Sequence, residues 1–259
     1  MRGAGASKDG SVMVSMQGQY GVLRGGVQRG MRNFLGLRNI AAFSAMIMLA
    51  AFAAPGPADL AHAQGAGSIL GPVRVAVLGD SLSAGFGLAA RDAFPVKLAA
   101  ALQAKGIKVE MTNAGVSGDT ASAGRDRLDW SIPEGVEAVI VELGANDALR
   151  GVDPDITRSA LDEILTRLKA KKITVLFCGM QAPPNMGADF AARFNALYPE
   201  LAAKHQVALY PFFLDGVAAN AALNQRDGIH PNADGVDVIV ARILPQVEAL
   251  LSTARREAH

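Results

Sequence analysis

Short apolar segments alternate with longer amphipathic ones from residue 73 to residue 251, and this alternation constrains the fold more than any other feature. Five short segments have the length and composition of buried strands, at 74–78, 108–113, 138–143, 173–178 and 207–210. Four longer segments repeat apolar residues at helical spacing, at 94–105, 153–171, 188–205 and 235–251. Strands that alternate with helices predict a parallel, doubly wound α/β sheet. Because the crossovers are right-handed, the loops after the strands come to one edge of that sheet.

A serine follows the first of these strands. The apolar run stops at Gly79-Asp80-Ser81, which brings a hydroxyl to the edge where open α/β sheets bind ligands. A serine hydroxyl is too weak an acid to attack a carbonyl unaided, so it needs a neighbouring base. Far along the chain, His230 could act as that base and Asp227 could fix its tautomer. The sequence predicts a catalytic set of these three residues; a turn carboxylate and a histidine at a helix start are the alternative for the last two.

Four short blocks, each at the end of a strand or in a later loop, together resemble the SGNH (GDSL) hydrolase superfamily. The blocks are Gly79-Asp80-Ser81-Leu82, Ser117-Gly118-Asp119-Thr120, Gly144-Ala145-Asn146-Asp147 and Asp227-Gly228-Ile229-His230-Pro231. The resemblance spans residues 73–251 and is greatest to the exported bacterial thioesterase, lysophospholipase and arylesterase branch. It implies a flavodoxin-like three-layer α/β/α sandwich with a five-stranded parallel sheet. It also implies a serine esterase.

The same resemblance implies an oxyanion hole. The attacked carbonyl becomes an oxyanion, which needs preorganised hydrogen-bond donors. By resemblance, these donors are the backbone N–H groups of Ser81 and Gly118 and the side-chain amide of Asn146. Considered alone, Gly118 could be an ordinary turn glycine and Asn146 a cap at a strand end. The Gly-x-Ser-x-Gly pattern of α/β-hydrolases is absent from the sequence, which argues against that other serine-hydrolase fold.

The loop at 181–187 follows the fourth predicted strand. In the thioesterase branch that the chain resembles, the matching loop borders the acyl pocket. Asn185 matches that branch, whereas Gln181 and Met186 stand where an arginine and a tyrosine are expected. We predict substrate contacts from Asn185, Met186 and Leu149, with ordinary packing as the alternative for Met186 and Leu149.

The N-terminal region has the order of a secretory signal. A basic segment at 31–39 precedes an apolar run at 40–54 and the small-x-small pattern at 61–63. We predict that residues 1–63 are an N-terminal extension and signal peptide, cleaved after Ala63, and that residues 64–259 form a single periplasmic or secreted hydrolase domain. An uncleaved membrane anchor is the alternative, although the apolar run is short for a spanning helix, which needs about 20 residues.

Charge and cysteine content disfavour several other classes of protein. The chain has 25 basic and 24 acidic residues without a basic stripe or tail, so we expect no nucleic-acid partner. The one cysteine, Cys178, lies in an apolar segment, which predicts a buried, inert thiol. The four histidines show no metal-ligand spacing, so we expect no metal and no cofactor. We also expect a monomer without integral membrane association after cleavage.

Together, these patterns favour a serine esterase that forms an acyl-enzyme on Ser81. Its predicted substrates are acyl esters, lysophospholipids, aryl esters and acyl thioesters. A carbohydrate O-acetylesterase would use the same residues with a shallower and more polar pocket. A lipid-binding module without turnover is a third interpretation, which the presence of Ser81, His230 and Asn146 disfavours.

Overall fold

The computed structural model describes residues 71–257, in which five parallel strands form one sheet. The strands are β1 (Val73–Gly79), β2 (Val109–Gly115), β3 (Ala138–Glu142), β4 (Thr174–Cys178) and β5 (Ala208–Tyr210). Their order across the sheet is β2-β1-β3-β4-β5, which is the flavodoxin-like order. The predicted fold class is therefore confirmed, and each predicted strand ends within two residues of the observed one.

Helices cover both faces of the sheet. They are α1 (Ser81–Ala84), α2 (Phe94–Ala104), α3 (Ala121–Asp126), α4 (Leu128–Ser131), α5 (Ala145–Arg150), α6 (Pro154–Ala170), α7 (Ala188–His205) and α8 (Ala233–Glu257). Helices α2 and α8 pack together in one layer, and α3, α6 and α7 pack in the other. Right-handed crossovers require this division, because the chain leaves β1 in one direction along the sheet and β3 in the other. The four long predicted helices are all present.

Helix α6 shows how the sequence defines a helix, and where the apolar pattern misleads. Asp153 caps its start by accepting a hydrogen bond from the Asp155 N–H at 3.0 Å, and Pro154 occupies the first turn, where a proline is tolerated. Ala160, Ile164 and Leu168 are buried as expected, but Ile156 is 55% exposed. These four residues are spaced four apart, and each step of four turns about 40° beyond a full helical rotation. Over the three steps from Leu168 back to Ile156 the shift adds up, and Ile156 leaves the buried face.

The carboxyl ends of the three central strands lie at one level. Gly79 pairs in register with Gly115 of β2 and with Glu142 of β3. A Cβ atom at Gly79 would overlap the side chains of Ser83 and Glu142. Because only glycine permits this close approach, α1 can sit directly on the strand ends. Ser81 therefore lies at the carboxyl ends of β1 and β3, where the strand order reverses, which is the usual ligand site of such folds.

Three other predictions concern the N-terminal region, the cysteine and membrane-spanning segments. The predicted signal peptide and its predicted cleavage site lie outside residues 71–257, so both they and the domain boundary at residue 64 stay predictions. Cys178 is buried in β4, and burial raises the pKa of its thiol well above the usual value, as expected for an inert cysteine. Among the helices within residues 71–257, none has the length and hydropathy needed to cross a membrane.

Candidate active site

The imidazole of His230 lies between Ser81 and Asp227. Its Nε2 is 2.9 Å from Ser81 Oγ, and its Nδ1 is 2.7 Å from Asp227 Oδ2. Ser81 begins α1 and is 8% exposed. In this arrangement Nδ1–H can donate to the carboxylate while Nε2 accepts the hydroxyl proton. The three residues that the sequence predicts as a set are thus brought together.

Asp227 fixes its own loop as well as the imidazole. Its Oδ1 accepts hydrogen bonds from the backbone N–H groups of Ile229 and His230, both at 3.0 Å. Hydrogen bonds from the His230 backbone and ring, together with the Ile229 N–H, lower the pKa of Asp227 to about 2. Asp227 therefore stays ionised at mildly acidic and neutral pH, where it can stabilise a positively charged imidazole.

Helix α1 holds the Ser81 hydroxyl in place. Asp80 caps this four-residue helix, and its Oδ1 accepts a hydrogen bond from the Leu82 N–H at 2.9 Å. The helix ends at Gly85, whose φ of +82° lies in the left-handed region. The Gly85 N–H donates to the Ser81 carbonyl at 3.2 Å. In these contacts the Asp80 carboxylate organises the turn around the serine.

Asn146 lies beside this turn, at the start of α5. Its Nδ2 donates to Asp80 Oδ2 and to the Asp119 carbonyl, both at 3.0 Å. The second bond holds the 117–120 loop, with Gly118 at φ +88°, against Asn146. Both amide hydrogens are thus engaged, so an oxyanion bound to Asn146 Nδ2 would have to replace or share one of these bonds. The geometry brings the predicted oxyanion donors into one neighbourhood.

The sequence model of the GDSL-like lipase/acylhydrolase family matches residues 77–238, which contain all four sequence blocks. This chain belongs to the GDSL-like lipase/acylhydrolase family. The sequence-based expectations of SGNH (GDSL) hydrolase membership and of an enzyme that hydrolyses esters are confirmed.

Relatives of this hydrolase carry matching descriptions. Esterase TesA of Pseudomonas aeruginosa is 36% identical over 176 residues, which cover 68% of this chain and 88% of TesA. The Escherichia coli (strain K12) protein named thioesterase 1/protease 1/lysophospholipase L1 is 38% identical over 177 residues, covering 68% of this chain and 84% of that protein. The crystal structure of AlinE4, an SGNH-hydrolase family esterase, is 43% identical with a TM-score of 0.60, covering 71% of this chain and 99% of AlinE4. The chain is accordingly a serine ester hydrolase.

Two further acidic residues of the hydrolase have structural partners. Asp147 is fully buried and accepts hydrogen bonds from the Ala121 N–H at 2.8 Å and from Thr157 Oγ1 at 2.9 Å. Asp119 pairs with the buried Arg127 guanidinium, which also donates to the Gly79 carbonyl at 2.9 Å. These bonds fasten α3, α6 and the end of β1 to one another.

Glu142 lies beneath the Ser81 turn and is completely buried. Its Oε2 accepts hydrogen bonds from Ser83 Oγ at 2.6 Å and from the Asp80 N–H at 3.3 Å. Its Oε1 has no hydrogen-bond partner among residues 71–257. Burial, reinforced by the negative charge of Asp80, raises the pKa of Glu142 well above its usual value. The buried environment therefore favours the protonated, neutral form of this carboxyl.

Replacing Glu142 with glutamine should change how stability depends on pH. Because the folded-state pKa is raised, the folded wild type keeps a proton that the unfolded chain releases above its ordinary carboxyl pKa. The wild type therefore loses unfolding free energy relative to Glu142→Gln as pH rises, by up to about 1.4 kcal/mol per pH unit. Urea unfolding of both proteins at pH 5 and pH 7 measures this difference. A pH-independent difference would mean that Glu142 has no raised pKa in the folded protein.

The three residues predicted to contact substrate lie around the end of α5 and the loop after β4. Leu149 is 48% exposed on α5, the helix that carries Asn146. Met186 ends a 3₁₀ turn at Pro184–Met186, and its methyl group lies beside Gly151, which follows α5. Asn185 is exposed in the same turn. Their contact with substrate stays a prediction.

Two residues that the sequence analysis did not single out contact His230. The Phe86 ring lies against the imidazole, with a centroid separation of 4.6 Å and an angle of 37° between the planes. Gln225 donates its backbone N–H to the His230 carbonyl at 2.7 Å. The available signal for Phe86 is an aromatic residue between two glycines, shortly after the serine. No sequence signal of comparable clarity marks Gln225.

Proposed function

We propose that Ser81 is the nucleophile of this hydrolase and that it carries the acyl group of an ester or thioester between two half-reactions. The observation that carries the proposal is the 2.9 Å separation between Ser81 Oγ and His230 Nε2, with Asp227 on the opposite side of the ring. Oγ attacks the acyl carbon while Nε2 takes its proton, and the carbonyl oxygen becomes an oxyanion. The oxyanion collapses, the alkoxide or thiolate leaves with the proton from Nε2, and the acyl group stays on Oγ.

Water completes the cycle. His230 removes a proton from a water molecule, which attacks the acyl carbon. The second oxyanion collapses, Ser81 Oγ recovers its proton from Nε2, and the carboxylic acid departs. Asp227 keeps the ring in the tautomer that accepts at Nε2 and stabilises the imidazolium between the two transfers. The backbone N–H groups of Ser81 and Gly118 and the Asn146 amide are the donors proposed for the oxyanion.

Exposed apolar side chains favour acyl chains over sugars as the bulk of the substrate. Phe86, Val116, Leu149 and Ile229 are between 42% and 49% exposed. All four lie in segments that follow β1, β2 or β3 or that carry His230, which is the edge of the sheet where Ser81 lies. Apolar surface at the rim of a site stabilises a hydrocarbon chain by removing it from water. We therefore propose medium- or long-chain acyl esters, lysophospholipids and aryl esters as substrates, and we expect Asn185 and Met186 to contribute to their binding.

Hydrolysis of a p-nitrophenyl ester series from acetate to palmitate tests this substrate class. The experiment compares residues 64–259 with the Ser81→Ala variant of the same length. Serine-dependent activity that increases toward longer chains supports the acyl-ester proposal. A maximum at acetate favours the carbohydrate O-acetylesterase interpretation, and acetylated xylan or peptidoglycan would then be the next substrates. An absence of serine-dependent activity at every length would contradict the proposed reaction.

Export completes the proposal. The basic, apolar and small-x-small order at 31–63 supports a cleaved signal peptide and a periplasmic or secreted enzyme that starts near residue 64. We propose that this enzyme is a monomer. Mass measurement of the protein recovered from a periplasmic fraction tests the cleavage site. Retention of residues 31–63 in a membrane fraction would favour the anchored alternative.

Removal of the Asn146 amide should separate turnover from binding. Because an oxyanion donor acts mainly in the transition state, Asn146→Ala should lower kcat by about 100- to 1,000-fold with a small change in KM. Steady-state kinetics on p-nitrophenyl butyrate gives both constants. A change confined to KM would contradict the oxyanion role of Asn146.

The substitution Asp80→Asn should impair the Asn146 oxyanion donor indirectly. Burial raises the pKa of Asp80 to about 6, although hydrogen bonds from Leu82 and Asn146 lower it, so the carboxylate is mostly ionised at pH 7 and accepts from both groups. An asparagine side chain has one acceptor oxygen and one NH₂ donor group. In either orientation the NH₂ group therefore faces another donor, the Leu82 N–H or the Asn146 amide. When the NH₂ group faces Asn146, the Asn146 amide must rotate away from its place in the site. When it faces Leu82, the cap that holds the Ser81 turn is lost. We expect kcat to fall about 10- to 100-fold, within the range for disturbing one oxyanion donor. An unchanged kcat in a folded Asp80→Asn variant would contradict this coupling.

A further inference from the structure

Two segments far apart in the sequence supply the residues of the proposed reaction, and Gln225 joins them. Its side-chain Nε2 donates to the Phe86 carbonyl at 2.7 Å and to the Pro231 carbonyl at 3.0 Å. Its backbone N–H donates to the His230 carbonyl at 2.7 Å. One residue thus binds the two consecutive carbonyls of His230 and Pro231 and also reaches the segment that follows Ser81.

These bonds form a closed circuit with the Ser81 and His230 side chains. The Phe86 N–H donates to the Ser81 carbonyl at 3.1 Å, and the Phe86 carbonyl accepts from Gln225. Gln225 bonds the His230 backbone, and His230 Nε2 lies 2.9 Å from Ser81 Oγ. Apart from the contact between Ser81 and His230, all bonds of the circuit are made by backbone groups or by the Gln225 side-chain amide. The separation between the proposed nucleophile and its base therefore depends on whether that amide keeps its place.

The Phe86 ring depends on the same bonds. It is 49% exposed yet lies 4.6 Å from the imidazole of His230, so burial alone does not fix its position. Its backbone is held on both sides, by Ser81 and by Gln225. The ring covers one face of the imidazole and limits how far it can rotate away from Ser81.

Gly87 makes room for this arrangement. Its φ is +73°, and a Cβ atom there would overlap Gln225 Oε1. Any other residue would therefore both strain the backbone and displace the Gln225 amide. A glycine at position 87 and an amide of this length at position 225 fit each other.

We propose that Gln225 is a positioning residue for the reaction, which acts by holding the Phe86 segment against His230 and so setting the distance from Ser81 Oγ to His230 Nε2. The inference rests on the proposed function, since it concerns the alignment of the same nucleophile and base. A displacement of about 1 Å between reacting groups can cost about 100-fold in rate. Loss of the Gln225 amide should therefore lower turnover much more than substrate binding.

The experiment compares Gln225→Met, which keeps the length and removes the donor, with Gln103→Met on the exposed side of α2. Two quantities are measured for each protein: kcat and KM on p-nitrophenyl acetate, and the rate of inactivation by a fluorophosphonate, which phosphonylates an activated serine. We expect Gln225→Met to lower kcat and the inactivation rate together, by about 10- to 100-fold, with KM within about twofold of wild type. Rates of Gln225→Met equal to those of Gln103→Met would overturn the proposal.

Two further variants keep the test decisive if Gln225→Met does not fold. Gly87→Ala displaces the Gln225 amide from the other side and should produce the same loss in kcat and inactivation rate. Phe86→Leu removes the ring but keeps the backbone carbonyl. Its effect should be less than additive with that of Gly87→Ala, because both act on the alignment of His230. If the losses in kcat of the two substitutions were fully additive, they would act independently, which would contradict the proposal. If the wild type itself resists the fluorophosphonate, the proposed function fails, independently of any effect at Gln225.

Discussion

Ser81→Ala should reduce kcat on p-nitrophenyl esters by about 10⁴- to 10⁶-fold, which is the scale seen when a serine hydrolase loses its nucleophile. The substitution removes Oγ, so no acyl-enzyme can form. The fold should survive, because the hydrogen bonds that organise the turn use the Ser81 backbone carbonyl, which accepts from Gly85 and Phe86. Initial rates at saturating ester measure the loss, and the thermal unfolding midpoint reports the fold.

Ser159→Ala is the matched control for this substitution. Ser159 is exposed on α6, and its removal should leave kcat within about twofold of wild type. A Ser81→Ala protein that is folded and hydrolyses esters at the rate of Ser159→Ala would eliminate Ser81 as the nucleophile.

His230→Ala should be almost as damaging as Ser81→Ala. Without the imidazole, neither the attack by Ser81 nor the attack by water has a base, and the leaving group has no acid. Members of one catalytic unit are not additive, so the variant with both substitutions should be no slower than Ser81→Ala alone. Steady-state kinetics on the three variants measures this pattern.

A second histidine–aspartate pair supplies the control. His205 Nε2 lies 2.6 Å from Asp162 Oδ1 at the end of α7, and its side chain is 8% exposed. His205→Gln should lower the unfolding midpoint, because the partly buried pair is lost, but it should leave kcat unchanged below the unfolding transition. If His205→Gln impaired turnover as strongly as His230→Ala, the assignment of His230 as the base would be wrong.

The fold was predictable from the sequence because its signals are long and regular. Strands buried on both faces read as apolar runs, and α2, α6 and α7 carry a periodic apolar stripe over eleven or more residues. Helices α1, α3, α4 and α5 were not predicted, since four to six residues are too few to show a period. Helix α8 runs six residues past its predicted end at 251, where the charged residues of its last turn obscure the apolar pattern.

The candidate site was predictable to the extent that topology alone assembles it. Parallel strands present their carboxyl ends at one edge, so residues that follow β1 and β3, including Ser81 and Asn146, were expected to lie close together. The contact between Gln225 and Phe86 could not be predicted, because it joins two loops 139 residues apart through a side-chain amide. The two bonds of the Asn146 amide depend in the same way on how loops pack, and no spacing along the chain encodes them.

The most direct test of the account is to trap the acyl-enzyme. Wild-type enzyme is mixed with p-nitrophenyl butyrate, quenched in acid within milliseconds to seconds, and examined by mass spectrometry of the intact protein and of its peptides. We expect a butyryl adduct at Oγ of Ser81 in the wild-type peptide that contains this residue. We expect no such adduct in Ser81→Ala. Rapid turnover with no adduct in the wild type while Ser81→Ala remains active, or an adduct on any other residue, would contradict the account.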